Sequence, residues 1–75
     1  MRLELTNNAQ ARMLDRRIAE ADIQATIASP DHLSPYMEKC WHARKQMGTR
    51  ALEVLFTRDL VQTQILTAFW QDVAP

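Results

Sequence analysis

Hydrophobic and polar positions alternate from Arg2 to Leu5 (Arg-Leu-Glu-Leu), which predicts a short strand with Leu3 and Leu5 on one face. Its brevity suits a sheet edge. Thr6 or Asn7 can then cap a helix, with Gln10 standing three residues after Asn7, and the helix is expected from about Asn8 to Arg16. Ala9, Met13 and Leu14 are read as its inward face, and Ile18 closes the turn that follows. A second helix is expected over Ala19 to Ala28: Glu20 and Asp22 suit its positive end, and Ile23 and Ile27 lie one turn apart. Ser29-Pro30 ends it, because the residue before a proline disfavours helical geometry.

Asp31 to Pro35 reads as a loop, and Tyr36 to Met47 fits a strand only imperfectly before a Gly48-Thr49 turn. Arg50 to Arg58 is clearer. Leu52, Val54 and Phe56 share one side and Ala51, Glu53 and Leu55 the other, as expected of a central strand. Arg58-Asp59 makes a tight connection to Val61 to Trp70, whose Val, Ile, Thr, Phe and Trp content suits a strand buried at least partly on both faces. The expected fold is one α+β domain over residues 1–75: a short strand, two helices and a three-stranded antiparallel meander. Both helices would pack on one face of a four-stranded sheet, with Met13, Leu14, Ile23 and Ile27 against Val54, Phe56 and Ile65.

Composition narrows the function more than the fold. Seventy-five residues, 47% of them hydrophobic, make one small core and leave no room for a second. Nine basic and nine acidic side chains cancel, so any phosphate site must be local. A lone Cys40 has neither a disulfide partner nor a companion at metal-ligand spacing, and no metal or other cofactor is expected. A nucleophile is a weaker reading of Cys40 than a buried structural thiol. The charged first residues lack the apolar run of a signal peptide, and no stretch approaches membrane-spanning length; a soluble cytoplasmic protein is the expectation.

Order and spacing carry a resemblance. Thr6, Asn8-Ala9, Arg12-Met13, Arg17-Ile18, Asp22-Ile23 and Pro30, followed by strands bearing Leu52, Val54 and Thr67, resemble a family of small uncharacterised bacterial domains related to the RelE and BrnT type toxins. The resemblance covers nearly the whole chain. It implies a RelE-like α+β domain of the kind found in toxin ribonucleases, often encoded beside an antitoxin. Two residues depart from the pattern: Asn8 stands where the family has a histidine, and Arg16 or Arg17 where it has a glycine. Losing that histidine removes the obvious proton-transfer group and puts catalysis, though not the fold, in question.

Metal-independent RNA cleavage needs a deprotonated 2′-hydroxyl, a protonated leaving oxygen and stabilised charge on phosphorus. On the first helix, Asn8, Arg12, Asp15 and Arg16 share an arc of roughly 100°. Arg12 and Arg16 suit phosphate, since a guanidinium offers paired donors and stays charged, with Asn8 beside them. The competing reading pairs them with Asp15 or Glu20 on a solvated face.

His42 is the best remaining proton-transfer residue, and alternation puts it with Arg44 on one strand face, opposite Trp41, Ala43 and Lys45. An ordinary half-exposed histidine is the competing reading. His32 carries less weight. Tyr36, Trp41 and Trp70 can stack on bases or serve as core, and Thr67 can bond a phosphate or simply favour a strand.

Two functional readings stay open. One is a toxin-like RNA-binding domain or endoribonuclease, with His42 and Arg12 catalytic, Asn8, Arg12, Arg16, Arg44 and Thr67 on phosphate, and an antitoxin as partner. In that case His42 must come close to Arg12 in the fold. The other is a catalytically inactive protein-binding or oligomerising module on the same scaffold, with a homodimer as its expected state. A membrane partner is not expected, and no motif supports a small-molecule enzyme.

Overall fold

The computed structural model describes residues 3–59 and 61–73. It is an α+β fold with two helices and one five-stranded mixed sheet. The elements run β1 (Leu3–Leu5), α1 (Asn7–Arg16), α2 (Glu20–Ala28), β2 (His32–Pro35), β3 (Trp41–Met47), β4 (Arg50–Arg58) and β5 (Thr63–Asp72). In space the strands lie in the order β1-β5-β4-β3-β2. β1 is an edge strand, as its length suggests; the Arg2 start expected for it falls outside the described residues.

Three expectations are corrected. Asp31 to Pro35 is not a loop: His32–Pro35 pairs antiparallel with Trp41–Arg44, so the sheet has five strands rather than four and its antiparallel run spans β2 to β5 rather than three strands. A strand this short and exposed has no buried face, and so leaves no alternation to read. Its Pro35 suits an edge, where a missing N–H costs no ladder bond. Second, β3 begins only at Trp41, after a turn in which the Tyr36 N–H donates to the Cys40 carbonyl and Met37 and Lys39 take left-handed backbone angles. Gly48 does the same between β3 and β4 at φ 72°, where glycine alone is free of strain. Third, Leu14 is 86% exposed rather than buried. Five residues from the buried Ala9 is a rotation of roughly 140°, which carries Leu14 off the stripe that Ala9 and Met13 share.

The core lies between the helices and one face of the sheet. α1 packs on β5 and β1, and α2 on β4 and β3. Ala9, Ile18, Ile23 and Ile27 meet Ala43, Leu52, Val54, Phe56, Ile65 and Ala68, with Leu3, Leu5, Met13, Trp41 and Trp70 packed at the margin. Most of the apolar residues predicted inward are there. Thr6 caps α1, its hydroxyl accepting the Ala9 N–H at 3.1 Å. Arg17 closes that helix in the left-handed region (φ 55°), and the Ile18 N–H returns to the Met13 carbonyl at 2.9 Å. Lys45 Nζ donates to the Ser29 carbonyl at the end of α2, and Trp70 Nε1 to the Arg16 carbonyl at the end of α1. Among the described residues no helix is long and apolar enough to cross a membrane.

Candidate functional site

Because both helices cover the face bearing Ala43, Val54 and Ala68, strand alternation sends the intervening side chains to the other, helix-free face. Cross-strand register orders them into two rows. His32 pairs with Arg44, Arg44 with Glu53 and Glu53 with Phe69. The second row is Ser34, His42, Leu55 and Thr67, each paired with the next. Rows two residues apart along a strand are separated by about 6.6 Å, and neighbours within a row by about 4.8 Å. The eight side chains therefore form one small surface.

A diagonal contact links the rows. His42 Nε2 and Glu53 Oε1 are 2.6 Å apart, with side chains 29% and 14% exposed. A carboxylate in the middle of a central strand needs a partner when it is this covered, and the imidazole supplies one. Among the described residues it is the one acid–base side-chain pair at ion-pair distance. With Nε2 bonded to the carboxylate, Nδ1 is the ring nitrogen left for another proton donor or acceptor.

Two hollows open on this face. One, of about 270 Å³, is lined by Tyr36, His42, Glu53, Leu55 and Phe69. The other, of about 360 Å³, is lined by Asp31, His32, Arg44, Gln46 and Val73. In the second, Asp31 Oδ2 accepts the Gln46 N–H at 2.8 Å, tying that carboxylate to the backbone. Arg44 faces Glu53 in register, yet Glu53 is taken by His42, and no ion pair to Arg44 forms among the described residues.

The residues expected at a site divide between the two sides of the molecule. His42, Arg44 and Thr67 come together on the helix-free face. Asn8, Arg12 and Arg16 ride on α1, across the sheet from them, so the approach of His42 to Arg12 is not made. Asn8 has a local bond: its Nδ2 donates to the Leu66 carbonyl at 3.1 Å, at the point where an extra residue in β5 shifts the register beside Leu55 and Phe56. Arg12 and Arg16 are exposed, and neither pairs with Asp15 or Glu20. Trp41 and Trp70 face the helices, whereas Tyr36 borders the open hollow. Cys40 is partly exposed, not buried.

Glu53 and Phe69 were not among the expected site residues. Glu53 had a readable signal, as the one charge inside an otherwise apolar central strand. Phe69 had none, since an aromatic in a strand is ordinarily core. Among the described residues no cluster of three or more His, Cys, Asp or Glu side chains is placed to share a metal ion. No protein-family model matches the sequence, and no curated protein or solved structure matches it either.

Proposed function

We propose that this chain is a toxin-like RNA-binding domain on a RelE-like scaffold, working as a metal-independent ribonuclease through the helix-free face of its sheet. The observation that carries this reading is the 2.6 Å His42–Glu53 pair, set beside an aromatic hollow and an Arg44 that has no ion-pair partner among the described residues. Glu53 is a positioning residue that holds the imidazole by Nε2 and leaves Nδ1 to accept the proton of a ribose 2′-hydroxyl. The 2′ oxygen then bonds to phosphorus as the bond to the 5′ oxygen breaks, giving a cyclic phosphate. Water protonates the leaving oxygen. Arg44 lies two residues along the same strand face and meets the charge that builds on the phosphate. In this scheme Arg44 takes the part expected of Arg12, whose approach to His42 the fold does not make; Arg12 and Arg16 sit behind the sheet and have no part in the chemistry.

The test uses labelled single-stranded RNA with a metal chelator present. Cleavage is expected from the wild-type protein and a fall of at least about 100-fold from His42→Ala, with a much smaller loss of RNA binding. Overexpression should be toxic for the wild type and harmless for His42→Ala. Wild-type protein that neither binds nor cuts RNA overturns the proposal.

A second reading, a protein-binding or self-associating module, draws support from Leu14. It stands 86% exposed beside Leu5, Met13 and Ile18, which with Gln10 line a shallow apolar hollow on α1. Under that reading Leu14→Glu turns a dimer into a monomer on size exclusion, while a wild-type monomer counts against it.

A further inference from the structure

We infer that the helix-free face holds its RNA as one defined nucleotide unit, with a base in the Tyr36–Phe69 hollow and the adjoining phosphate in the His32–Arg44 hollow. The inference rests on the RNA reading above and adds where each part of the chain sits.

The two hollows differ in chemistry and are neighbours by register. The smaller presents two aromatic rings and the Leu55 side chain, with His42 and Glu53 as its polar members. At about 270 Å³ it lies just below the size range of sites for drug-sized molecules, which suits a single flat heterocycle. Aromatic side chains on an open sheet stack on bases without regard to their identity, since every base has a π face. The larger hollow holds Arg44, the one guanidinium placed on this face among the described residues, and a histidine paired with it across β2 and β3. Asp31 accepts the Gln46 N–H and makes no ion pair with Arg44 among the described residues. A guanidinium left without a carboxylate partner is a binding group for a phosphodiester.

Register joins the two. Arg44, Glu53 and Phe69 are successive members of one cross-strand row, so the cationic hollow and the aromatic hollow meet at Glu53. Glu53 is bonded to His42 and makes no ion pair with Arg44 among the described residues, so the guanidinium stays open to a phosphate. His42 lines the base hollow and is two residues from Arg44 along β3. A sugar bridging the hollows therefore passes His42. The chain's zero net charge makes this local cation the main electrostatic contact, and so a readable one.

The experiment is fluorescence anisotropy with an end-labelled single-stranded RNA decamer whose 2′-hydroxyls are methylated to block cleavage, titrated at several salt concentrations. Arg44→Gln is expected to weaken binding and to reduce the slope of log affinity against log salt by about 0.7, the value for one lost phosphate contact on a single strand. Arg44→Lys keeps the slope. Phe69→Leu and Tyr36→Leu should each weaken binding on the order of tenfold with the slope unchanged, since stacking releases no counterions. Circular dichroism checks that each variant is folded, and a merely structural effect would lower affinity without separating slope from intercept in this way. An unchanged slope in Arg44→Gln, or full affinity in both aromatic variants, overturns the inference while wild-type binding leaves the RNA reading standing. Failure of the wild-type protein to bind the decamer at low salt overturns both.

Discussion

Trp70 and Arg16 are 54 positions apart in sequence and joined by one hydrogen bond, from the indole Nε1 to the backbone carbonyl at 3.2 Å. Trp70 pairs with Leu52, and Leu52 with Lys45, whose ammonium reaches the Ser29 carbonyl. One row across the sheet thus ends, on each side, in a donor that satisfies the last turn of a helix. Arg50 lies over the same indole at 4.2 Å. Trp70→Phe removes the donor and weakens the cation contact while keeping an aromatic ring. The expected loss is about 1–2 kcal/mol of folding stability, measured by urea denaturation.

Arg17 holds a left-handed backbone at φ 55° with a full side chain. That conformation costs a non-glycine residue about 1–2 kcal/mol, and it is the position where helices most often place glycine. Arg17→Gly is therefore expected to raise stability by up to about 1 kcal/mol, after the added freedom of the unfolded glycine is offset. In a domain this small the midpoint should rise by several degrees. Arg17→Ala, which keeps the Cβ, should show no such gain in the same melting experiment.

Asp59 organises the turn between β4 and β5 by accepting two backbone N–H groups, from Val61 and Gln62, at 2.8 Å each. Those bonds, Gln62 foremost, hold its carboxyl below the ordinary aspartate value. A depressed pKa in the folded state means a contribution fully present above the unfolded value, about 3.9, and lost as pH falls through the lower folded value. Asp59→Asn should be less stable than wild type at neutral pH. The gap should close as the pH drops below about 3.9, measured by paired chemical denaturation curves.

Glu53→Gln keeps a hydrogen-bonding group beside His42 but removes the charge that orients and supports the ring. The expected result is a loss of about 10-fold to 100-fold in the RNA cleavage rate with little change in RNA affinity. Adding Glu53→Gln to His42→Ala should cost nothing further, because the two act as one unit. Additive losses in single-turnover assays would separate them.

The inner face of the fold was readable in the sequence because burial imposes a period. Leu52, Val54 and Phe56 alternate, Ile23 and Ile27 recur at one turn, and all five lie in the core. β2 was not readable, since a four-residue edge strand exposed along its length carries no pattern and is held by pairing with β3. Leu14 misled for a related reason: an apolar residue next to Met13 looks like core until the rotation per residue is followed from Ala9. At the site, the His42 and Arg44 face followed from alternation alone. Glu53 reached His42 only through the β3–β4 register, which sequence spacing does not supply. For Arg12 and Arg16, local helix geometry gave the shared arc correctly, but it says nothing about which side of a sheet the helix will cover.

β1 pairs in parallel with β5, Leu3 beside Thr63 and Leu5 beside Ile65, and Thr6 bonds the Leu66 carbonyl 60 residues away. β1 and α1 therefore take their neighbours in the sheet from β5, the last strand in chain order. During synthesis, β1 and α1 leave the ribosome with no sheet to join, and the apolar side of α1 stays uncovered until β5 emerges. Between those two events the bare side of the helix is open to whatever recognises an apolar face, a chaperone or a protease among them.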